Sequence, residues 1–489
     1  MKNRTGAFIR SILARFFDTE TLRIDDRDES DNDSLIHQTP GTSLQAVHRD
    51  AFYILIGLDF GTSYCKCVIR DFFESRERAW VYQPSRPISG DLPFLIPSVL
   101  YAKDGYFSHG SHDQHYQKYC LHHVKMALVN VAKGNWSAPV LDVYRNAGNC
   151  QNNDELRDFV SACGVYRLSK ILADVHLDIE GRYPDFGQHE KDQVDATVAI
   201  PVADAEEYEI TQFFQRIMEC ASEFASSPEN RGEVSIEWFV PWVSEAMSRS
   251  PNRESRCFVY PEVSALVHGL FQGRGVHQGS IFLVTDTGAG TVDQSLFTIS
   301  TDYTKLCYCS ARVTPLGSSQ IELRAASRLQ NVEPEDLEAL RIKKERGEVL
   351  PELDKARDLI ETELREESVV VAFRGQQKLP EPRQLANVRL LFSGGGHQKK
   401  PYQSAVLDSL SDTRVTATPI VPGILGMRLP DDLEPKNNLK DWMPRLWVAY
   451  GLSFEFGSLK DNMYPSQMPN VQRAHARGDL TPEISKDQV

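Results

Sequence analysis

No stretch of this sequence approaches the roughly 18 consecutive apolar residues that a membrane-spanning helix needs, so no membrane span is expected. The first residues alternate basic and apolar, without the continuous apolar centre of a secretory signal. Positive charge is also short. The formal net charge is -14, which argues against a general nucleic-acid surface or an anionic-membrane surface. Cysteine is sparse: nine residues, odd in number and scattered, the usage of a reducing compartment, so the expected location is cytoplasmic. Two C-x-C pairs, Cys65/Cys67 and Cys307/Cys309, are spaced more tightly than common zinc knuckles and read as same-face core residues. His109, His112, His115, His122 and His123 share no carboxylate-backed i, i+4 motif. They read as a solvated polar segment, not a metal site.

What remains is a globular composition, with 41% hydrophobic and 25% charged residues. At 489 residues the chain exceeds one ordinary core and implies two or three domains or lobes. Residues 1–50 stand apart as an N-terminal extension. Met1 to Phe17 has the spacing of an amphipathic helix, and Asp25 to Ser34, DDRDESDNDS, reads as a disordered acidic linker. This extension is either a loose tail or a peptide that docks on a partner protein.

The core is organised around Tyr53 to Arg70, YILIGLDFGTSYCKCVIR. An apolar run ends on Asp59, a small-residue turn follows, and alternation resumes through Cys65, Cys67 and Ile69: strand, tight turn, strand. Such a turn leaves backbone N–H groups pointing one way and makes an anion nest. A carboxylate at its mouth suggests Mg²⁺ between acid and phosphate, held directly or through water. The theme returns at Ile281 to Ile299, IFLVTDTGAGTVDQSLFTI, where a strand ends on Asp286 and Gly288-Ala289-Gly290 makes the turn. Thr291 and Asp293 add oxygen ligands close by. Two matched copies imply two related lobes, each offering a phosphate nest to a shared cleft.

The remaining segments alternate in α/β fashion. Strands are expected at Asp195 to Pro201, Ile236 to Val240 and Cys257 to Tyr260, with a long helix at about Asp204 to Ala225. A helix opens at Pro261 and puts Glu262 on a strand-to-helix junction, where functional groups of open α/β sheets gather. Lys125 lies in a helical stretch, VKMAL. Residues 130–190 read as a mixed, loop-bearing insertion. RVTPLGSSQ is a glycine turn leading into a helix, and helices follow at Glu333 to Arg346 and Pro351 to Glu367. NVRLLFSGGGHQKKP is a strand ending in three glycines, which allow a ligand close to the backbone. Pro444 to Gly457 closes the core as an apolar helix, and the chain beyond Lys460 reads as polar and loose.

In this order the segments resemble the actin-like ATPase superfamily, and within it the ATPase domain of DnaK-type heat-shock chaperones, over about Ile54 to Gly457. GLDFGTSY and TDTGAGTVD resemble the two phosphate motifs, LLFSGGGHQKKP the adenosine motif, PEVSALVHGL the connecting helix, AIPVADAEEYEITQFF the segment with a proline before a long helix, and TPLGSSQIE the glycine turn that reaches the nucleotide. The resemblance implies a two-lobed α/β fold of duplicated ribonuclease-H-like domains with a central nucleotide cleft. The first lobe would span 51–260, the second, with a helical subdomain, 261–460, and a flexible tail 461–489. It implies ATP or ADP with Mg²⁺ organised by Asp59 and Asp286. Gly61, Thr62, Ser63 and Tyr64 would hold phosphates opposite Gly288, Ala289, Gly290 and Thr291. Lys125, Glu262, Asp286 and Asp293 would carry catalysis. Gly317, Gly395, Gly396, Lys399 and Arg357 would meet the nucleoside. Lys399 falls where the chaperones carry a stacking arginine, and lysine stacks less well.

The chaperones continue into a peptide-binding domain, whereas barely thirty residues follow this core. The expectation is an ATP-hydrolysing, slow, nucleotide-controlled switch for a partner protein contacted through 1–50 or 461–489. A nucleotide-holding scaffold with little turnover, a small-molecule kinase of the same superfold, and an actin-like polymer are the alternatives.

Overall fold

The computed structural model describes residues 49–72, 78–87, 92–109, 119–250, 254–272, 280–300, 302, 304–329, 340, 343–344, 348–379, 382–396, 400–415, 420, 422–425 and 429–471. The Met1 to Phe17 helix, the acidic linker, most of the Glu333 to Arg346 helix, His112, His115 and Lys399 lie outside these residues. The chain is mixed α/β and divides into two compact units. One takes in the described residues of Met1–Leu270 and Arg428–Leu459, the other those of Phe271–Met427 and Lys460–Val489. The division departs from a boundary at 260/261: the connecting helix and the return segment belong with the first unit.

In the first unit, β1 (Tyr53–Asp59) is the central strand. Its apolar run is buried from Ile54 onward, as a strand covered on both faces requires. It pairs antiparallel with β2 (Tyr64–Asp71), which pairs antiparallel with β3 (Arg78–Val81). The proline-bearing β4 (Ile96–Pro97) pairs with the start of β2. On the other side β1 runs parallel to β5 (Gln193–Ile200), and β5 to β6 (Cys257–Pro261). The two-residue strand Leu433–Glu434 adds parallel to β3.

Helices cover this sheet. α1 (Val124–Ala132) carries Lys125, and α2 (Asn153–Arg182) is capped by the Asn152 side chain, which accepts from the Glu155 N–H at 2.9 Å. The stretch 130–190 has its expected loop, at residues 148–152 between the helix Val140–Ala147 and α2, but loop is the minor part of the stretch. It is mostly helix, and α2 is buried almost all round from Phe159 to Leu172. A helix buried on all sides shows little amphipathic period, which hides it from pattern reading. Ile236–Ser248 is likewise a helix where a strand was expected. Phe239, Val243 and Ala246 bury one face at helical spacing, and a short apolar window cannot separate the two periods. α3 (Glu262–Phe271) follows β6 as expected.

The return segment has a specific seat. Its helix, Leu439–Leu452, lies so close to β1 that a Cβ on Gly57 would stand 2.2 Å from the Ala449 carbonyl oxygen. On its other side a Cβ on Gly451 would stand 1.7 Å from the Ala265 carbonyl oxygen of α3. Arg70 of β2, fully buried, donates to Asp432 at 2.5 Å and lies 3.8 Å from the Phe454 ring centroid. Tyr450 donates to the same carboxylate at 2.8 Å.

The second unit repeats the topology. β7 (Ile281–Thr287) pairs antiparallel with β8 (Val292–Ile299), and β8 with β9 (Lys305–Thr314). β7 is parallel to β10 (Arg389–Ser393), and β10 to β11 (Gly423–Ile424). The strand Asp461–Met463 adds parallel to β9, so the start of the expected loose tail is paired. Strand order and sense match the first sheet, position by position. α4 (Pro351–Gln376), with proline in its first turn, buries Leu353, Ala356, Ile360 and Leu364 beside Val292, Leu316 and Ile321.

Candidate functional site

Each hairpin turn is tied down on one side through its carbonyl groups. In the first unit, the Ser98 N–H donates to Ser63 O at 2.8 Å and the Ser98 hydroxyl donates to Gly61 O at 2.5 Å. The peptides here are trans, so each N–H points opposite to the preceding carbonyl. Thr62 and Tyr64 therefore aim their N–H groups away from Ser98. In the second unit, Gly317, Ser318 and Ser319 donate their N–H groups to the carbonyls of Gly290, Gly288 and Ala289 at 3.2, 2.9 and 2.8 Å. The N–H groups of Ala289, Gly290 and Thr291 are thereby turned to the opposite face. Converging N–H groups of this kind favour an anion.

Gly317 meets this turn backbone to backbone: a Cβ there would stand 2.3 Å from Ala289 O and 2.4 Å from Thr291 N. The triple-glycine loop closes on the same hairpin. Gly396 N–H donates to Thr287 O at 2.9 Å, and Gly394 (φ 82) leaves 2.4 Å between an added Cβ and Asp286 Oδ1. Gly317 and Gly396 thus flank the residue 286–291 hairpin, with Gly395 in the same loop as Gly396. Arg357 instead pairs with Asp354 one turn back on α4, at 2.7 Å. Lys399 is outside the described residues.

The residues expected to carry charge fall into two sets. In the first unit, the Lys125 ammonium is buried and ion-paired with Glu262, also buried at the start of α3. Burial alone would lower the Lys125 pKa. The Glu262 charge, then Asp59, the Glu262 hydrogen bond and Asp204 outweigh it and raise the pKa above its ordinary value. Asp204 itself pairs with Lys133 at 2.5 Å. Two expected catalytic residues are therefore each other's partners, with Asp59 close enough to act on them. His123, at the N-cap of α1 with φ 62, is pushed down to about 4 by burial and then by His122, and stays neutral at pH 7.

The two hairpins differ at one register position. Asp59 faces Lys66 across β1 and β2, and their charged ends meet at 2.7 Å. At the matching place Asp286 faces Asp293 across β7 and β8. Directly opposed residues share a face, with Cβ atoms about 4.5–5.5 Å apart, and like charges there are destabilising. Two carboxylates at this place are the donor chemistry that a divalent cation such as Mg²⁺ takes. At the first, Lys66 already neutralises Asp59 and competes with any ion. Among the described residues there is no group of three or more metal-ligating side chains, so Mg²⁺ here would complete its shell with water and phosphate oxygens.

Sequence reasoning missed Lys66, Ser98 and Lys344. Lys344 and Glu322 form a buried pair at 2.5 Å, and the same ammonium donates to Ser318 O at 2.9 Å, fixing the turn that holds residues 288–290. The first was visible as the residue opposite Asp59 in an ideal hairpin. The other two act from distant segments and leave no local pattern. No protein-family model matches the sequence, and no curated protein does so. Among the described residues no helix is long and apolar enough to cross a membrane.

Proposed function

We propose that this chain binds ATP with Mg²⁺ on an actin-like, two-lobed ATPase fold and hydrolyses it slowly, acting as a heat-shock-like conformational switch for a partner protein. The observation that carries the proposal is the matched pair of hairpins. Each carries an aspartate in the last two positions of its first strand, and each has its turn carbonyls tied back so that its N–H groups face away. The repeated strand order supports the superfold in the same way.

In this reading Thr62 and Tyr64, with Ala289, Gly290 and Thr291, supply N–H ligands to phosphate oxygens, while the Gly61 and Gly288 N–H groups close their own turns on Asp59 O and Thr291 O. Asp286 and Asp293 would hold Mg²⁺ and orient its waters, and Asp59 has its charge balanced by Lys66. Bound Mg²⁺ would supply charge neutralisation at the phosphates. Lys125 stabilises negative charge gathering on the transferred phosphoryl group. Glu262, engaged by Lys125, is a poor base in that arrangement, which favours slow turnover and keeps the nucleotide-holding scaffold as the second reading. Partner contact through residues 1–50 or 461–489 is part of the proposal.

The test is thermal unfolding with ATP, ADP and Mg²⁺, together with phosphate release, for the wild type, Asp286→Ala and Lys125→Ala. Stabilisation by nucleotide in the wild type, lost in Asp286→Ala, supports the proposal. A wild type indifferent to ATP ends it. Normal hydrolysis in Lys125→Ala removes only the role given to that lysine.

A further inference from the structure

Arg167 sits in the middle of α2, and its side chain is 4% exposed as a whole residue. It donates to the Pro97 carbonyl. Its Nε finds no partner, and among the described residues it forms no ion pair with a carboxylate. Guanidinium stays protonated in proteins, so this is a buried positive charge without a bonded counter-ion. Asp174, two helical turns further, is the acid whose charge reaches it, with Cys65, Tyr166 and Tyr82 the other titratable groups around it. Lys170 adds a second cation on the same helix, donating to the carbonyls of Asn230 and Gly232. His109, packed on Tyr166, is pushed down to about 4, first by burial and then by Lys170 and Arg167. The surroundings are net positive at neutral pH.

The place of that charge is specific. Pro97 pairs with Tyr64, and the next residue, Ser98, holds the carbonyls of Gly61 and Ser63. Cys65 Sγ lies 3.0 Å from the same Ser98 hydroxyl. A continuous strap therefore runs from Arg167 through Pro97 and Ser98 to the back of the Gly61-Thr62-Ser63 turn. A charge on that side and N–H groups on the other favour the same occupant, an anion. Burying a cation without a bonded counter-ion is costly.

We propose that Arg167 is a positioning residue for phosphate at the first turn: it anchors the Pro97–Ser98 strap that aims the turn's N–H groups, and its uncompensated charge strengthens the hold on a polyphosphate. The inference rests on the phosphate-binding reading above. At an effective dielectric near 20, a unit charge acting on a phosphate charge over roughly 10 Å changes affinity by roughly tenfold, which sets the scale of the expected effect.

The test compares wild type, Arg167→Lys, Arg167→Met and Ser98→Ala by calorimetric titration with ATP, with inorganic tripolyphosphate and with adenosine. Circular dichroism verifies the fold of each. The expected result is about tenfold weaker ATP and tripolyphosphate binding in Arg167→Met and a smaller loss in Ser98→Ala. Arg167→Lys should stay close to wild type, and adenosine binding should be equal in all four. If Arg167→Met does not fold, Arg167→Lys and Ser98→Ala still decide. Equal tripolyphosphate affinity in Ser98→Ala and wild type, or an Arg167→Lys that loses polyphosphate and adenosine alike, overturns the inference. A wild type that binds ATP while the variants match it sinks the inference alone. A wild type that binds neither ATP nor tripolyphosphate sinks the phosphate reading with it.

Discussion

Replacing Glu262 with glutamine keeps the shape of the Lys125 partner and removes its charge. Both groups are buried, so the substitution leaves an ammonium inside the first unit without its bonded counter-ion. Breaking a buried pair in this way costs about 3–5 kcal/mol. Asp59 and Asp204 remain to compensate in part, which places the expected loss at the lower end, about 3 kcal/mol. For a unit of this size that lowers its melting temperature by roughly 6–12 °C. The pH dependence separates a charge effect from a packing effect. In the wild type the Lys125 pKa is raised, so the pair's contribution is fully present below the unfolded lysine value and is lost only as pH rises through the folded one. In Glu262→Gln burial dominates and depresses the lysine pKa. A depressed base weakens folding at low pH and recovers stability as pH rises toward the unfolded value, by at most about 1.4 kcal/mol per unit. Urea unfolding of both proteins, monitored at pH 7 and pH 10, should show a deficit that shrinks at the higher pH. A deficit below about 1 kcal/mol at pH 7, or one that does not change with pH, refutes the reasoning.

Other substitutions read different parts of the structure. Lys66→Met strips Asp59 of its 2.7 Å partner, so ATP-induced stabilisation should become more dependent on Mg²⁺ than in wild type, as measured by melting with and without EDTA. Asp293→Asn relieves the like-charge pair with Asp286. It should weaken the Mg²⁺ dependence of nucleotide binding in calorimetry. Gly57→Ala forces a methyl to within 2.2 Å of the Ala449 carbonyl oxygen and should cost about 3 kcal/mol or more in unfolding, with faster proteolysis of the return segment.

The parts of the fold that follow a strong local period were legible. β1, β2, β7 and β8 and their aspartates could be read because an apolar run ending in Asp-x-Gly has one geometry, and the helix opening at Glu262 announced itself with proline. What failed was wherever tertiary burial erased the period. α2 is wrapped on all sides, and Ile236–Ser248 opens on five residues that suit either period. The return of Leu439–Leu452 to the first unit could not be seen either, because its seat depends on single glycines, Gly57 and Gly451, far apart in the chain. In the candidate site the turns and acids were visible. Their supports were not: Ser98 reaches Gly61, Lys344 reaches Ser318 and Arg167 reaches Pro97 across long sequence separations.

The central claim is that the two aspartate-tipped hairpins belong to one nucleotide-binding protein. Calorimetric titration of the wild type with ATP in Mg²⁺ tests it most directly, with Asp286→Ala and Ser98→Ala run alongside. The account predicts one ATP per chain, with binding abolished by the first change in the second unit and weakened by the second change in the first. Absence of ATP binding by the wild type, or binding indifferent to both substitutions, contradicts it.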